Sequence, residues 1–459
     1  MKMLSAEIAT SRFAYGANQK DLSNISHDPL QWLAEQLTPL TMPHSWHTLD
    51  AIQAEANYRM AKKQDSKVMA EPVMMNMMDE GQAKNMRLPS QKARRQAFKL
   101  AKESQISVIK AAAEKNNGFQ YRLLDFFSNH FSVSQTNPKM RLLAPTLEAE
   151  AIAPNLSAKF SDMLMAVIKH PAMIYYLNNE QSVGDRSAIA KKRKNKGLNE
   201  NLAREILELH TLGVNSTYSQ TDVKELARAI SGWSVNFNRN NKDYGFEYRK
   251  WAHEPGNRII LGNRYPAGEI EQGERILFDL ANHSDTAVHV CFKLARHFIA
   301  DNPDLHLVTQ MATTWMKTQG ELRSVILTML NHPSAWDVKA VKYKTPRHFV
   351  ISSLRASRAH WLAWAAPGVL EQMGQAPFNA GSPAGYADIA DSWNGGKALV
   401  SRVEWSGFIA AKVKQEPMPL AENALGTRLS KTTRQAIQRA ESRQQAMSLL
   451  LMSPEFQFV

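Results

Sequence analysis

Residues 198–233 read LNENLAREILELHTLG, then VNSTYSQ, then TDVKELARAISGW, and this stretch decides the fold. Asn199 offers a short side chain that can accept from an orphan amide one turn on. Gly213 follows the last apolar residue, where a left-handed C-terminal position is wanted. At 100° per residue, Leu202, Ile206 and Leu209 share one side and form a core stripe. Asn201, Glu205 and Glu208 share the adjoining flank, His210 lies on the opposite one, and Arg204 sits four residues before Glu208, the spacing of an ion pair. A second helix starts at Ser219 with Asp222 three residues later, a capping-box pattern. Val223, Leu226, Ala227, Ile230 and Trp233 carry its stripe. The short connection predicts antiparallel packing.

Two carboxylates beside a core stripe have two readings. They form a hydrogen-bond and ion-pair network with Arg204, or they form a site, because a carboxylate near apolar surface holds its proton more tightly or needs a cation. A divalent metal is one such cation. Glu-x-x-Glu is common in helices, so the spacing does not decide between the two.

Composition bounds the rest. The 459 residues are 44% hydrophobic and 22% charged, a globular balance. The single cysteine, Cys291, excludes an intrachain disulfide and, on an apolar helical face, is a poor nucleophile. The opening MKMLSAEIATSRFAYGA has no apolar signal core, and no run approaches the ~18 apolar residues of a membrane span. The expectation is a cytoplasmic protein. A net charge of +13 admits polyanion binding, but much of it sits in two local runs, Lys92 to Lys99 and Lys191 to Lys196. No nucleic-acid recognition motif accompanies them.

Along the chain, residues 55–105 are an insertion in which seven of the 21 methionines fall between Met60 and Met86. Such a tract binds soft metals such as Cu(I), or makes an adaptable apolar surface. In FQYRLLDFFSNHF, His130 projects with Leu123 and Phe127 into the apolar side. It is a satisfied core histidine, or a ligand or acid–base group. Asp125 and Asn129 make a polar pair on a neighbouring face. Residues 178–197 read as a basic mobile loop. Residues 240–265 are the one β signal, with Phe246 to Trp251 returning through a Pro255-Gly256-Asn257 turn to Arg258–Gly262. His253 sits at the bend. His170-Pro171, His332-Pro333 and Ser453-Pro454 each place proline at a first helical position. Residues 373–393 are an ordered Gly- and Pro-rich loop across the surface. No Walker loop, dinucleotide fingerprint, zinc-protease helix or nucleophile elbow is present. The fold class is therefore mainly α, a single large multi-helix domain over 1–459 with a small inserted β-ribbon.

Several stretches carry a family resemblance in order: SRFAYGANQKDL, SNHFSVS, NENLAREILELHTLG with YSQTDVKELARAISGW, WAHEPGNRIILGNRY, KLARHFIAD, KYKTPRHFVISSLRA, MGQAPFNAGSPAGYADIADSW and SPEFQ. Together they resemble the bacterial domain-of-unknown-function 1800 family nearly end to end. Leu202 departs from the aromatic that family prefers. Glu254 stands for the ribbon Asp, Arg258 for the ribbon Lys, and His348 for a residue usually acidic. The resemblance implies no chemistry by itself. It implies an envelope-associated or periplasmic relative, encoded beside a sulfatase- or alkaline-phosphatase-like protein that is a candidate partner. The leading functional expectation is an enzyme with a pocket at the central hairpin. Glu205, Glu208, His210, His130 and His253 are its candidate catalytic groups, and Asn201, Arg204, Trp233 and Arg258 its binding groups. The rivals are an accessory protein for that partner and a polyanion binder using the basic loops.

Overall fold

A computed structural model of the chain describes residues 2–17, 22, 25, 27–70, 88–190, 197–214, 216–238, 245–339 and 342–459. Helices dominate, and among the described residues the only sheets are two small antiparallel pairs. A continuous apolar core runs from Ala6 to Phe456, so the N- and C-terminal thirds share one interior.

Four helices set the frame. Thr48–Ala70 and Pro89–Glu114 pack along one another and cover most of the described part of the methionine-rich stretch, whose residues 71–87 lie outside the described residues. Gly118–His130 is buried on nearly every side. Ser284–Phe298 packs beside it, shown by stacked and edge contacts of Phe298 with Phe13 and Phe119. All three His/Ser-Pro steps start helices with Pro at the first position. In two of them the histidine ring also accepts the next free amide, from Ala172 and from Ser334.

The central hairpin departs from simple α periodicity. Asn201–Glu205 is α-helical, but Ile206–His210 is a π-turn. A wider turn advances less than 100° per residue. The buried set therefore becomes Leu202, Ala203, Ile206, Leu207 and His210, while Leu209 is only half-buried. This corrects the expected stripe and moves His210 from the flank opposite the carboxylates into the core. Asn199 Oδ1 accepts from Asn201 N at 2.9 Å. Gly213 takes φ +96° with a backbone bond to Leu207 O. The Ser219–Asp222 capping box is present in full, and the second helix spans Gln220–Ala229. Trp233 starts a strand and is not the last helical residue.

The β-region is two hairpins and not one ribbon. β1 (Trp233–Asn236) pairs with β2 (Gly245–Tyr248), and β3 (Arg258–Ile260) pairs with β4 (Asn263–Tyr265). The expected pairing of Phe246–Trp251 with Arg258–Gly262 fails because each strand has a nearer partner. Leu261 and Gly262 both have positive φ, +49° and +77°, the backbone of a two-residue type I′ turn that closes β3 on β4 locally. Of the basic loop, residues 191–196 lie outside the described residues. The rest is held to the second hairpin by Gly184 N to Ala252 O and by Arg186, whose Nε and backbone N both meet Glu254 at 2.7 Å.

Candidate active site

The 118–130 helix directs Arg122, Asp125, Ser128 and Asn129 into a cavity of about 90 Å³. Glu148 enters from a second π-turn, Glu148–Ile152, which follows the Pro145-containing helix Met140–Leu147. His297 comes from the last turn of Ser284–Phe298, and Arg347 from the first turn of Pro346–Ala356. The Gly- and Pro-rich loop supplies Gln375, Tyr386 and Asp388. That loop closes the cavity and does not merely cross the surface. Asn129 clamps it at two points, donating from Nδ2 to Tyr386 O at 2.9 Å and accepting Tyr386 N at 2.7 Å. Gly385 has φ +77°, and a Cβ there would overlap Asn129 O, so only glycine lets the loop approach.

Two charge arrangements share the cavity wall. In the first, Asp125 accepts Arg347 Nε at 2.6 Å on Oδ1 and the Tyr15 hydroxyl on Oδ2. Glu148 lies beside this pair and accepts Ser128 Oγ at 2.5 Å. Burial raises the Glu148 carboxyl to about 7, and Arg347 and Ser128 offset only part of that. It therefore exchanges its proton near neutrality. Two residues on, Glu150 goes the other way. Burial raises it too, but the ring of His170 and two bonds from Thr48 outweigh that and bring it down to about 2.

In the second, His297 Nδ1 donates to Asp388 Oδ2 at 2.5 Å. Asp388 is itself fixed by Lys342 Nζ, 2.5 Å from its backbone oxygen and 3.1 Å from Oδ1, outside hydrogen-bonding geometry at the latter. Lys342 also meets Asp301 at 2.7 Å, and Asp301 accepts Ala390 N. His297 Nε2 is buried with no hydrogen-bond partner. Burial and the nearby Arg122 keep its ring below the usual imidazole range, against the pull of Asp388. The ring is thus neutral at pH 7, with its proton on Nδ1 and a lone pair on Nε2. Arg122 is only 3% exposed. It stacks over Phe298 at 5.3 Å, gives one long bond to His297 O at 3.4 Å, and leaves Nε unsatisfied. The cavity therefore joins a base, an acid of near-neutral affinity and an under-used guanidinium.

A family model described as "Protein of unknown function (DUF1800)" matches residues 8–458. The chain belongs to the DUF1800 family. Neither a curated protein nor a solved structure matches it. Among the described residues, no helix is long and apolar enough to cross a membrane.

In this DUF1800 chain the hairpin residues are dispersed. Glu205 is half-buried, and burial followed by the charge of Glu208 raises its carboxyl. Burial and then the charge of Glu208 raise the Tyr218 hydroxyl. Arg204 pairs with Glu200 at 3.1 Å and Gln220 at 2.9 Å and not with Glu208. Asn201 is exposed. None of these lines the cavity. Trp233 is fully buried against Phe246 and Gly273. Arg258 donates to the carbonyls of Glu254 and Pro255 at 2.8 and 2.7 Å. His253 is buried with its two ring nitrogens 3.1 and 3.2 Å from the carbonyls of Ser231 and Gly268. These three hold the β-hairpins together.

His130 and His210 do come together, with ring centroids 6.3 Å apart. His130 Nε2 donates to His210 O at 3.2 Å, and its Nδ1 accepts Lys293 Nζ at 3.1 Å. Burial lowers Lys293 to about 8 and His210 to about 3. The cluster is one helical turn from His297 along the 284–298 helix, but it does not line the cavity. Glu148, Arg122, His297, Arg347 and Asp388 are not among the sequence-derived candidates. They are scattered over five segments, and three of them lie inside the family-like stretches KLARHFIAD, KYKTPRHFVISSLRA and AGYADIADSW.

Proposed function

We propose that this DUF1800 chain is an enzyme whose reaction, a hydrolysis or an elimination, couples proton removal to proton delivery in the cavity between the 118–130 and 284–298 helices. One observation carries the reading. His297 is oriented by Asp388 with its second nitrogen free and buried, and it shares a cavity with Glu148, whose affinity for a proton sits near neutral pH. A base needs its proton-accepting atom bare, and an acid works best when its pKa is close to the working pH. His297 Nε2 takes the proton from water or substrate while Asp388 steadies the resulting imidazolium. Glu148 gives its proton to the leaving group, and Arg122 meets negative charge as it develops.

The test pairs His297→Asn and Glu148→Gln with infrared detection of carboxylic acid at neutral pH, and with a hydrolase and lyase substrate screen. A protonated-carboxyl band that disappears in Glu148→Gln, together with an activity lost by about 10²-fold or more in both variants, supports the reading. A missing band, or an activity that both variants retain, overturns it.

A second reading belongs to the hairpin. Glu205 is raised partly by Glu208, and a divalent cation between the two carboxylates relieves such repulsion. Calorimetric titration with Mn²⁺ checks it, since Glu205→Gln removes the heat if the pair is a ligand set.

A further inference from the structure

We infer that the cavity is the closed end of a longer groove, and that this groove holds a carbohydrate chain. The cavity shares Gln105, Ala376, Pro377 and Asn379 with a polar groove of about 370 Å³ between the 89–114 helix and the short helix Ala366–Gln372. That groove in turn shares Lys102 and Gly368 with an aromatic one of about 480 Å³ bounded by Trp364, Trp405 and Phe408. The three therefore adjoin one another in order, from the exposed Trp364 to the cavity of His297 and Glu148.

The lining identifies the ligand class. At the outer end, Trp364 is 59% exposed and meets Phe408 edge to face at 6.3 Å. Trp361, 52% exposed, precedes it by three residues in a 3₁₀-helix, His360–Ala365. Residues at i and i+3 of a 3₁₀-helix lie on one side, so Trp361 flanks Trp364, which alone of the two lines the groove. Flat, exposed indole faces stack on the C–H faces of pyranose rings, and a ligand with a polar end and an apolar face fits such a site. The middle of the path carries three side-chain amides, Gln105, Gln135 and Asn379, beside the charged Lys102, Arg141 and Glu371. Gln135 Nε2 is buried without a partner. Amides offer donor and acceptor together, which is what sugar hydroxyls require. A peptide would instead need backbone pairing along a sheet edge or an apolar helix groove. The groove walls are helices and two loops, and among the described residues no strand borders them.

This inference rests on the acid–base reading only for what happens at the closed end, so binding and chemistry are separable. The probes are neutral β-linked oligosaccharides (gluco-, xylo- and N-acetylglucosamine types) and uronate-containing oligosaccharides, each from about two to eight units. Binding to the full chain is read by calorimetry and tryptophan fluorescence. The expected result is binding that tightens with chain length and quenches fluorescence. Salt-sensitive binding to the uronate arm alone assigns the acidic class, and binding indifferent to salt assigns the neutral class. Trp364→Ala should weaken it by about tenfold. Gly368→Leu should abolish binding of the longer chains by filling the path; a Cβ at Gly368 meets nothing within 4 Å, and circular dichroism checks that the variant is folded. Failure of every oligosaccharide to bind, binding unchanged in both groove variants, or binding only of random peptides overturns the inference. An activity on some other substrate that still needs His297 and Glu148 would then leave the acid–base reading standing.

Discussion

Glu148→Gln should make the protein more stable, and the gain should depend on pH in a definite way. Folding raises this carboxyl from 4.5 to about 7, so the native state holds the proton more tightly than the unfolded chain does. That preference stabilises the native state fully below about pH 4.5, and it is lost as pH rises through about 7. At about 1.4 kcal/mol per pH unit, the loss comes to about 3 kcal/mol. Glutamine mimics the neutral acid and keeps an oxygen for Ser128 Oγ, but it cannot ionise. Wild type and variant should therefore match near pH 4 to within about 0.5 kcal/mol and diverge to about 3 kcal/mol near pH 8. Urea unfolding at several pH values gives both curves. The Glu150 contribution is present above about 4.5 and is lost as pH falls toward about 2. It affects both proteins alike and cancels in the difference. A difference that stays flat from about pH 4 to about pH 8 would refute the claim that burial outweighs Arg347 at this carboxyl, and with it the near-neutral acid.

Three other outcomes are expected. Gly385→Ala should dislodge the cavity-closing loop, because the added carbon would overlap Asn129 O at φ +77°; faster amide exchange over residues 373–393 with little change elsewhere is the check. Lys342→Met should leave Asp301 and Asp388 without their shared cation and lower stability by about 3 kcal/mol, measured in urea, since breaking a buried pair exposes the cost of the charge left behind. Glu150→Gln should act oppositely to Glu148→Gln, destabilising at neutral pH and losing that effect as pH falls toward about 2.

Sequence periodicity carries the architecture because it reports burial, which is repetitive. The capping box at Ser219, the positive-φ glycine at 213 and the three proline steps are legible from local chemistry alone. The strand partners of Phe246 and Arg258 are not, because pairing depends on which turn closes first, and Leu261-Gly262 is a quieter turn signal than Pro255-Gly256. The cavity is harder still. Asp125 and Asn129 stand out as a pair, but their partners Tyr15, Arg347 and Tyr386 lie 110, 222 and 257 residues away. No window along the chain contains them together. The hairpin's polar groups are dense in one stretch, whereas the cavity's are dense only in space.

The two π-turns bear on how this chain tolerates length changes. Each holds one residue more than an α-turn would need, so dropping a single amino acid at Ala149 or at Leu209 would let the backbone relax into ordinary winding without breaking the helix. Everything downstream on that helix would then be rotated by about a quarter of a revolution relative to what precedes it. Ile152 would turn away from its present packing relative to Glu148, and His210 would slide out of the interior. One-residue shortenings there would be mild for folding and severe for geometry, the reverse of what a truncated core side chain does.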